Sequence, residues 1–453
     1  VPDALIGRLA VCGPLPPTPS GIADYAAQQF AALCEWAEEL VAFYPTRGPR
    51  PTPISGVRHA PVSRLEAEGP WGGVLIHLGN HAGFHDELFE LALRRPSVVL
   101  LHELDLHHLV RGVTVGRGNL EAWIGILERT YGAVGASAGR RWVEQGRAAE
   151  LRELPLFEPI VDASRGVIVH SEWARRRVLA SRPRACVAVV PHGLPVPLQR
   201  SGGADRAEVR RRLGLDPASF VVGTFGFATP AKRLPVVLSA LARVRRARPD
   251  AQLLMVGDRS PDPRVDDLLL GVPSDAVVAP GWLGEGDLED AIRAVDVVVS
   301  LRDPPAGETS GTALRVLGAG VPLVVNPAGW FAEIPGDVVV RVAADELELA
   351  AALLALADEP ETRRALGAAG RAWVHEVHDP RQSARTVASM VADLGRGAPL
   401  VAPCGVAMPR PPPPDARLMA RVGAELAELG VDDADPVVES ISGVLVDLGI
   451  RTR

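Results

Sequence analysis

Lysine is nearly absent from this sequence. Of its 48 lysine and arginine residues one is lysine, Lys232, and 47 are arginine. Aromatic residues are also few, at 4% of 453 residues. The hydrophobic 47% must therefore build its cores from Val, Leu, Ala and Ile. The four cysteines (Cys12, Cys34, Cys186 and Cys404) stand far apart. They have no metal-ligand spacing and no disulfide framework, which makes a reducing cytosol the natural compartment. No run of about 18 apolar residues is present, which excludes a membrane-spanning helix. No basic-then-apolar leader and no Met open the chain, as expected of a processed or trimmed start. An excess of positive charge is lacking too. The formal net charge is −7 and the pI near 5.9, which argues against a general nucleic-acid binder. The arginine clusters at 174–184 and 243–249 have helical spacing and read as solvated helix faces.

What is present is a repeated alternation. Short continuous apolar runs occur at 8–13, 39–44, 73–79, 97–103, 166–171 and 187–193. They recur at 220–226, 251–258, 276–282, 296–303, 322–327 and 337–342. Unbroken apolar runs suit parallel strands covered on both faces, and helix-length segments separate most of them. The fold class is therefore α/β: two Rossmann-like, doubly wound domains facing a cleft, with a ligand at the C-terminal strand ends. The expected domains are 1–197, with a helical insertion near 104–165, and 205–395. Residues 396–453 form a Pro-rich linker and a short helical tail. Residues 45–70, rich in Pro and Arg, read as an exposed loop.

Two stretches of the second half point to phosphate chemistry. In "GFATPAKRLP" (226–235), Lys232 follows a strand end by a few residues. A compact ammonium there can meet a phosphate, and Arg233 beside it is a second candidate ligand. In a chain that uses arginine elsewhere, a single retained lysine reads as functional rather than as an ordinary surface residue. In "RDPPAGETSGTALRVLGAGVP" (302–322) a loop leads into a helix from about Gly311. Thr309, Ser310, Gly311 and Thr312 offer hydroxyls and free backbone N–H groups at its start. Glu308 has two readings, as a carboxylate favouring the helix dipole or as an acceptor for sugar hydroxyls.

The first half offers "PLPPTPSGIADY" (14–25), where Ser20 and Gly21 turn tightly into a helix and let backbone approach a ligand. Histidines gather at 77–87 and 100–109. Zinc held by His102, His107 and His108 is conceivable, but the spacing is not that of a zinc helix. His102 and Glu103, at a strand end, read instead as substrate contacts, with Asn80 and His85 on the acceptor side.

Taken in order, these segments resemble glycosyltransferase family 4, the retaining nucleotide-sugar enzymes of GT-B fold, over about residues 8–395. The style of subfamily is the one carrying "SGIADY" and "GETSG". The resemblance implies that Lys232 binds the donor diphosphate, that His102 contacts the donor sugar, and that the "GETSG" loop holds phosphate and sugar. The donor side would also take in Gly21, Arg233, Trp282 and Leu283. The family's two glutamates fall on Gly307 and Arg315, so the ribose contact departs from the pattern. Phe227 stands where an arginine is common. Glu333 in "GWFAEIP" fits a second glutamate or a helix-start acid. The implied activity is transfer of a hexose from a nucleoside-diphosphate sugar, GDP-mannose first and UDP-sugars next, to a hydroxyl. The expected acceptor is a glycan, a lipid-linked sugar or a small molecule. Neither cofactor nor metal is implied, and the expected location is cytoplasmic, with a peripheral membrane contact left open. A non-catalytic sugar-nucleotide binder and a GT-B epimerase remain alternatives.

Overall fold

The computed structural model describes residues 4–145, 151, 153–194, 205–258, 263–273 and 275–394. The expected tail at 396–453 and the linker at 195–204 lie outside the described residues.

The chain divides into two compact units, Val1–Val169 with Arg175–Ala188 and Arg385 onward, and His170–Ala174 with Val189–Ala384. These bounds differ from the expected 1–197 and 205–395. Hydrogen bonds give the reason on the second unit's side. Leu194 N donates to His378 O (3.0 Å) and Ser383 Oγ to Pro191 O (2.8 Å), which ties 190–194 to the end of that unit. In the first unit, Arg385 lies over the Trp36 ring at 5.4 Å.

The first unit is built on β1 (Ile6–Cys12), α1 (Gly21–Leu33), β2 (Ala37–Tyr44), β3 (Arg58–Pro61), β4 (Gly73–Leu78), α2 (Ala82–Arg94) and β5 (Val98–Leu101). Three helices follow, α3 (His107–Val113), α4 (Leu120–Gln145, broken at Gly132) and α5 (Glu158–Ala163), where the insertion was expected. Then come β6 (Gly166–Val169), α6 (Glu172–Ser181, whose residues up to Ala174 belong to the second unit) and β7 (Val187–Val189, which enters the second unit at Val189). Strand order is β3-β2-β1-β4-β5-β6-β7. The 45–70 segment is not wholly loop. Arg58–Pro61 pairs in parallel with β2 as an edge strand, burying Ala60.

The second unit comprises α7 (Arg206–Arg212), β8 (Val221–Phe225), α8 (Leu234–Ala247), β9 (Gln252–Val256), α9 (Pro263–Leu270), β10 (Val277–Gly281), α10 (Glu285–Ala294), β11 (Val297–Ser300), α11 (Gly311–Gly318), β12 (Leu323–Val325), β13 (Val340–Arg341), α12 (Glu346–Asp358), α13 (Pro360–Val377) and α14 (Pro380–Leu394, which enters the first unit from Arg385). Its sheet is parallel throughout, in the order β10-β9-β8-β11-β12-β13.

The unbroken apolar runs have a visible cause here. Val221, Leu254, Val256 and Val298 face a core shared with Leu314 and Leu317 of α11. Their neighbours Val222, Leu253, Met255 and Val297 face the opposite core, against α8 and α12. Both faces are dry, so alternation with polar residues would leave buried polar groups without partners. Each such side chain contributes roughly 1.5–3 kcal/mol by its burial.

Candidate functional site

In the second unit the strand order reverses between β8 and β11, so loops leaving their C-terminal ends diverge and leave room for a ligand. β8 runs into Gly226, whose φ is 82°. Gly257, which follows β9 with φ 115°, packs on Gly226 so closely that a Cβ would stand 2.8 Å from its carbonyl carbon. The lysine and the "GETSG" loop meet at Gly226. A Cβ built there would lie 2.9 Å from Lys232 Nζ and 3.5 Å from Thr312 Oγ1. The missing side chain leaves open the space between an amine and a helix start.

Lys232 turns its amine inward and donates to the Phe225 carbonyl at 2.8 Å. Its ammonium is destabilised and its pKa falls to about 7. Loss of hydration is the main cause, Arg302's charge adds to it, and Glu308 opposes it. Arg302, which the sequence reading passed over, stands close enough to act on the lysine's charge. Its Nε donates to Glu308 Oε1 at 2.8 Å, and its main chain exchanges two 2.7 Å bonds with the Asn326 side chain. Its position directly after a strand end was the available signal, hidden by the abundance of arginine. Glu308 also accepts from Ala306 N at 2.9 Å, so it braces its loop from two sides. It precedes the cap residue of α11 rather than lying in the helix's first turn, where the dipole reading put it.

Ser310 caps α11, its hydroxyl accepting from Ala313 N at 3.2 Å. The first N–H groups of that helix, from Gly311 and Thr312, face no intrahelical acceptor. No heavy atom lies within 4 Å of a Cβ built on Gly311, so the turn is uncrowded. Thr309 Oγ1 is buried and has no hydrogen-bond partner among the described residues.

The other donor-side candidates are placed as follows. Arg233 has a left-handed backbone (φ 53°) at the start of α8 and lies 3.6 Å from Asp303. Arg315 bonds Glu285 at 3.2 Å through both terminal nitrogens. Trp282 follows β10 and is 62% exposed, whereas Leu283 packs against the core. Glu333 accepts from the backbone N–H groups of Glu172 and Trp173, so it serves as a helix-start acid, for α6.

In the first unit the order reverses between β1 and β4. Ser20 caps α1, accepting from Ile22 N at 3.2 Å, and the space around Gly21 is open. Glu103 Oε1 accepts from Asn80 N at 3.0 Å, and Asn80 Oδ1 accepts from Leu109 N at 2.9 Å. Ser20, Gly21, Asn80 and Glu103 thus sit on strand-end turns. His102 rests on His77, with Nε2 3.1 Å from its Nδ1. His85 is buried beneath Gly79, and dehydration pulls its pKa down to about 3, so it is a neutral packing group. The histidines weighed for zinc turn to separate partners. His107 Nε2 meets Leu151 O, His108 Nδ1 meets Asn80 O, and His102 meets His77. Among the described residues no three His, Cys, Asp or Glu side chains gather as a metal site.

Two parallel, doubly wound sheets of this kind are the GT-B fold. Residues 217–359 match the family described as Glycosyl transferases group 1. The chain is similar to a D-inositol 3-phosphate glycosyltransferase of Segniliparus rotundus, 32% identical over 41% of this chain and 42% of that protein. It is 29% identical to a GDP-mannose-dependent phosphatidylinositol monomannoside mannosyltransferase of Corynebacterium glutamicum, over 38% of this chain and 46% of that one. A lipopolysaccharide core mannosyltransferase of Rhizobium meliloti is 28% identical over 57% and 79%. The match thus spans less than half the length of the first two relatives. Among solved structures, Anabaena HepE with UDP and glucose has a TM-score of 0.60 at 16% identity, over 85% of this chain and 100% of that one. Sucrose-phosphate synthase of Thermosynechococcus elongatus has 0.59 at 18%, over 86% and 99%. At these identities the structures speak for the fold alone. No described helix is long and apolar enough to cross a membrane.

Proposed function

We propose that this protein transfers a hexose from a nucleoside-diphosphate sugar to an acceptor hydroxyl, with retention at the anomeric carbon. The observation that carries this reading is the convergence of Lys232 Nζ and Thr312 Oγ1 on the bare Gly226 at the β8/β11 reversal. As the glycosidic bond lengthens, negative charge builds on the departing diphosphate. Lys232 and the N–H groups opening α11 stabilise that charge, a term often worth several kcal/mol. Arg302 is held by Glu308 and Asn326 beside this seat and adds positive potential. In this reading protein charges meet the leaving group without a metal. Arg233 is a further phosphate ligand once released from Asp303. Glu308 keeps free lone pairs on its carboxylate for sugar hydroxyls. His102, Ser20, Asn80 and Glu103 serve sugar and acceptor.

The donor assigned first is GDP-mannose, supported by the printed activity of the Corynebacterium relative, with UDP-sugars second. The acceptor is a glycan or a lipid-linked sugar, since the relatives include a phosphatidylinositol mannoside and a lipopolysaccharide enzyme. Release of GDP or UDP from a panel of nucleotide sugars, with and without acceptors, tests the assignment. Donor turnover is expected in the native chain and its near-complete loss in Lys232→Ala. Native turnover in that variant removes the lysine from the reaction. Tight nucleotide binding without turnover on any acceptor makes the chain a binder instead.

A further inference from the structure

Two non-glycine residues among those described have a left-handed backbone, Arg233 (φ 53°) and Leu156 (φ 64°). Arg233 adjoins Lys232 at the phosphate seat of the second unit. Leu156 belongs to the first unit and is fully buried. A leucine in this region crowds its Cβ, and it persists only where its surroundings over-determine it. The surroundings here are a chain of hydrogen bonds. Leu156 N donates to Tyr131 Oη at 2.7 Å. Tyr131 stands one residue before the break of α4 at Gly132, and its hydroxyl donates to Glu158 Oε2 at 2.6 Å. Glu158 opens α5, is buried, and takes the Ser181 hydroxyl on its other oxygen at 3.0 Å. Burial and the Glu158 carboxylate push the Tyr131 pKa far up, so the phenol keeps the proton it donates. The peptide group joining Pro155 to Leu156 is used at both ends, because Pro155 O accepts from Leu106 N at 2.7 Å. One chain thus runs from the Leu106 N–H through that peptide and the Tyr131 hydroxyl to the Glu158 carboxylate. Its members polarise one another, and an acceptor charge at its end strengthens it. Beside it, His107 Nε2–H donates to Leu151 O at 2.8 Å.

We propose that Tyr131 is a positioning residue: through the 155–156 peptide it fixes Leu106, and with it the loop after β5 that carries His102 and Glu103. The inference rests on the reaction proposed above, in which those two residues serve sugar and acceptor. The sheet side of the loop has its own ties. His102 N donates to Leu78 O at 3.0 Å, and Glu103 Oε1 accepts from Asn80 N at 3.0 Å. The far side of the loop, at Leu106 and His107, is held by the 151–156 segment. Tyr131 sets the plane of the peptide that Leu106 meets. Without the hydroxyl, the buried Leu156 N–H loses its acceptor and the left-handed turn loses what offsets its strain. The peptide then rotates, and the loop is left with its sheet-side ties alone.

Steady-state release of nucleotide from GDP-mannose and amide hydrogen exchange, both on the full chain, test this. Tyr131→Phe keeps the ring and removes the hydroxyl. Its kcat is expected to fall about tenfold, with KM for GDP-mannose and Kd for GDP within about twofold, because the phosphate seat lies in the other unit. Exchange of the Leu106 and Leu156 amides is expected to quicken roughly tenfold or more, with β1 and β4 unchanged. Glu158→Gln leaves an oxygen for the Tyr131 hydroxyl and is expected to retain most of the native kcat, whereas Glu158→Leu is expected to act like Tyr131→Phe. The double variant Tyr131→Phe/Glu158→Leu is expected to lose no more than either single one, since both break the same chain. Native kcat in Tyr131→Phe overturns the positioning role, and unchanged exchange at Leu106 overturns the clamp. A kcat that falls only in step with a lowered Tm, and returns on cooling, makes Tyr131 a stability residue and overturns the role as well. If the native chain turns over no donor, the reaction falls and the positioning role with it, while the exchange still judges the clamp.

Discussion

His77 lies fully buried under His102, its Nδ1 3.1 Å from His102 Nε2. The Tyr25 ring meets His102 edge-on at 5.3 Å. One of these two nitrogens donates and the other accepts, so the tautomer of His77 fixes that of His102 and holds its ring in place. His77→Ala is expected to lower kcat about tenfold with little change in donor KM, as expected for a lost orienting hydrogen bond. His77→Asn, which can still donate or accept, is expected to recover most of it. Equal losses in the two variants would place His77 in packing alone.

Lys232 carries the clearest pH dependence. Its pKa near 7 means that about half the free protein lacks the ammonium at neutral pH. A diphosphate favours the charged form, so binding draws a proton from solution above pH 7. Affinity for pyrophosphate is expected to fall as pH rises from 7 to 9, approaching tenfold per pH unit. Calorimetry in buffers of different ionisation enthalpy should report uptake of up to one proton at pH 8. Lys232→Ala should abolish the uptake and reduce turnover by about a hundredfold or more. Uptake that survives the substitution would assign the proton elsewhere.

Glu308 is the counterweight to Arg302 and raises the pKa of Lys232. Glu308→Gln keeps the shape and leaves Arg302's charge unopposed. The lysine should then titrate lower, and donor use should weaken roughly tenfold at pH 7.5. The loss should be smaller at pH 6, where the amine regains its proton. Unchanged kinetics on the true donor at both pH values would contradict both parts.

The residues that could be read from sequence were those whose role is local. Lys232 stood out by rarity, Ser20 and Ser310 by their place before a helix, and the parallel sheets by apolar runs that both cores explain. What escaped was non-local. Arg302 looked like any arginine until Asn326 and Glu308 held it at a strand end. Arg58–Pro61 gave no strand signal because an edge strand buries little, here Ala60. The chain crossing at residues 188–189 precedes the Pro- and Gly-rich stretch because His192 and Pro191 bond to the end of the second unit.

The placement of α11 depends on two glycines of α13. A Cβ on Gly367 would stand 2.0 Å from the Gly320 carbonyl oxygen, and one on Gly370 2.8 Å from Leu317 Cδ2. The first clash is with backbone, so relief requires the helices to separate. Gly367→Ala is expected to cost about 2–4 kcal/mol by overpacking and the shifts it forces, read by urea unfolding. Since α11 opens at the phosphate seat, pyrophosphate affinity should fall with it. Gly370→Ala should cost less, because a leucine end can move. An unaltered unfolding midpoint in Gly367→Ala would mean that the two helices are not held this closely.

Three buried histidines of the second unit set its acid stability. His170 donates through Nδ1–H to Val190 O (2.8 Å), and His378 through Nδ1–H to His192 O (2.8 Å). His378 packs against the Trp373 ring at 4.7 Å. Dehydration lowers the pKa of His170 and His378 to about 4 and that of His192 well below 6.5, with mutual repulsion adding to the effect on His170 and His192. In the unfolded chain each would take up a proton near pH 6.5. As pH falls from 6.5 toward 4 the unfolded state therefore binds more protons than the native one, and stability is lost across that window. Above pH 7 all three are neutral in both states and contribute no slope. The loss for His170 or His378 is on the order of 3 kcal/mol at completion. Urea midpoints should be level between pH 7 and 8 and should drop steeply between pH 6.5 and 4.5. His378→Gln should lower the midpoint at pH 7.5, through the lost packing on Trp373, while reducing the slope below pH 6.5. A slope unaltered by that substitution would show that other groups take up the protons.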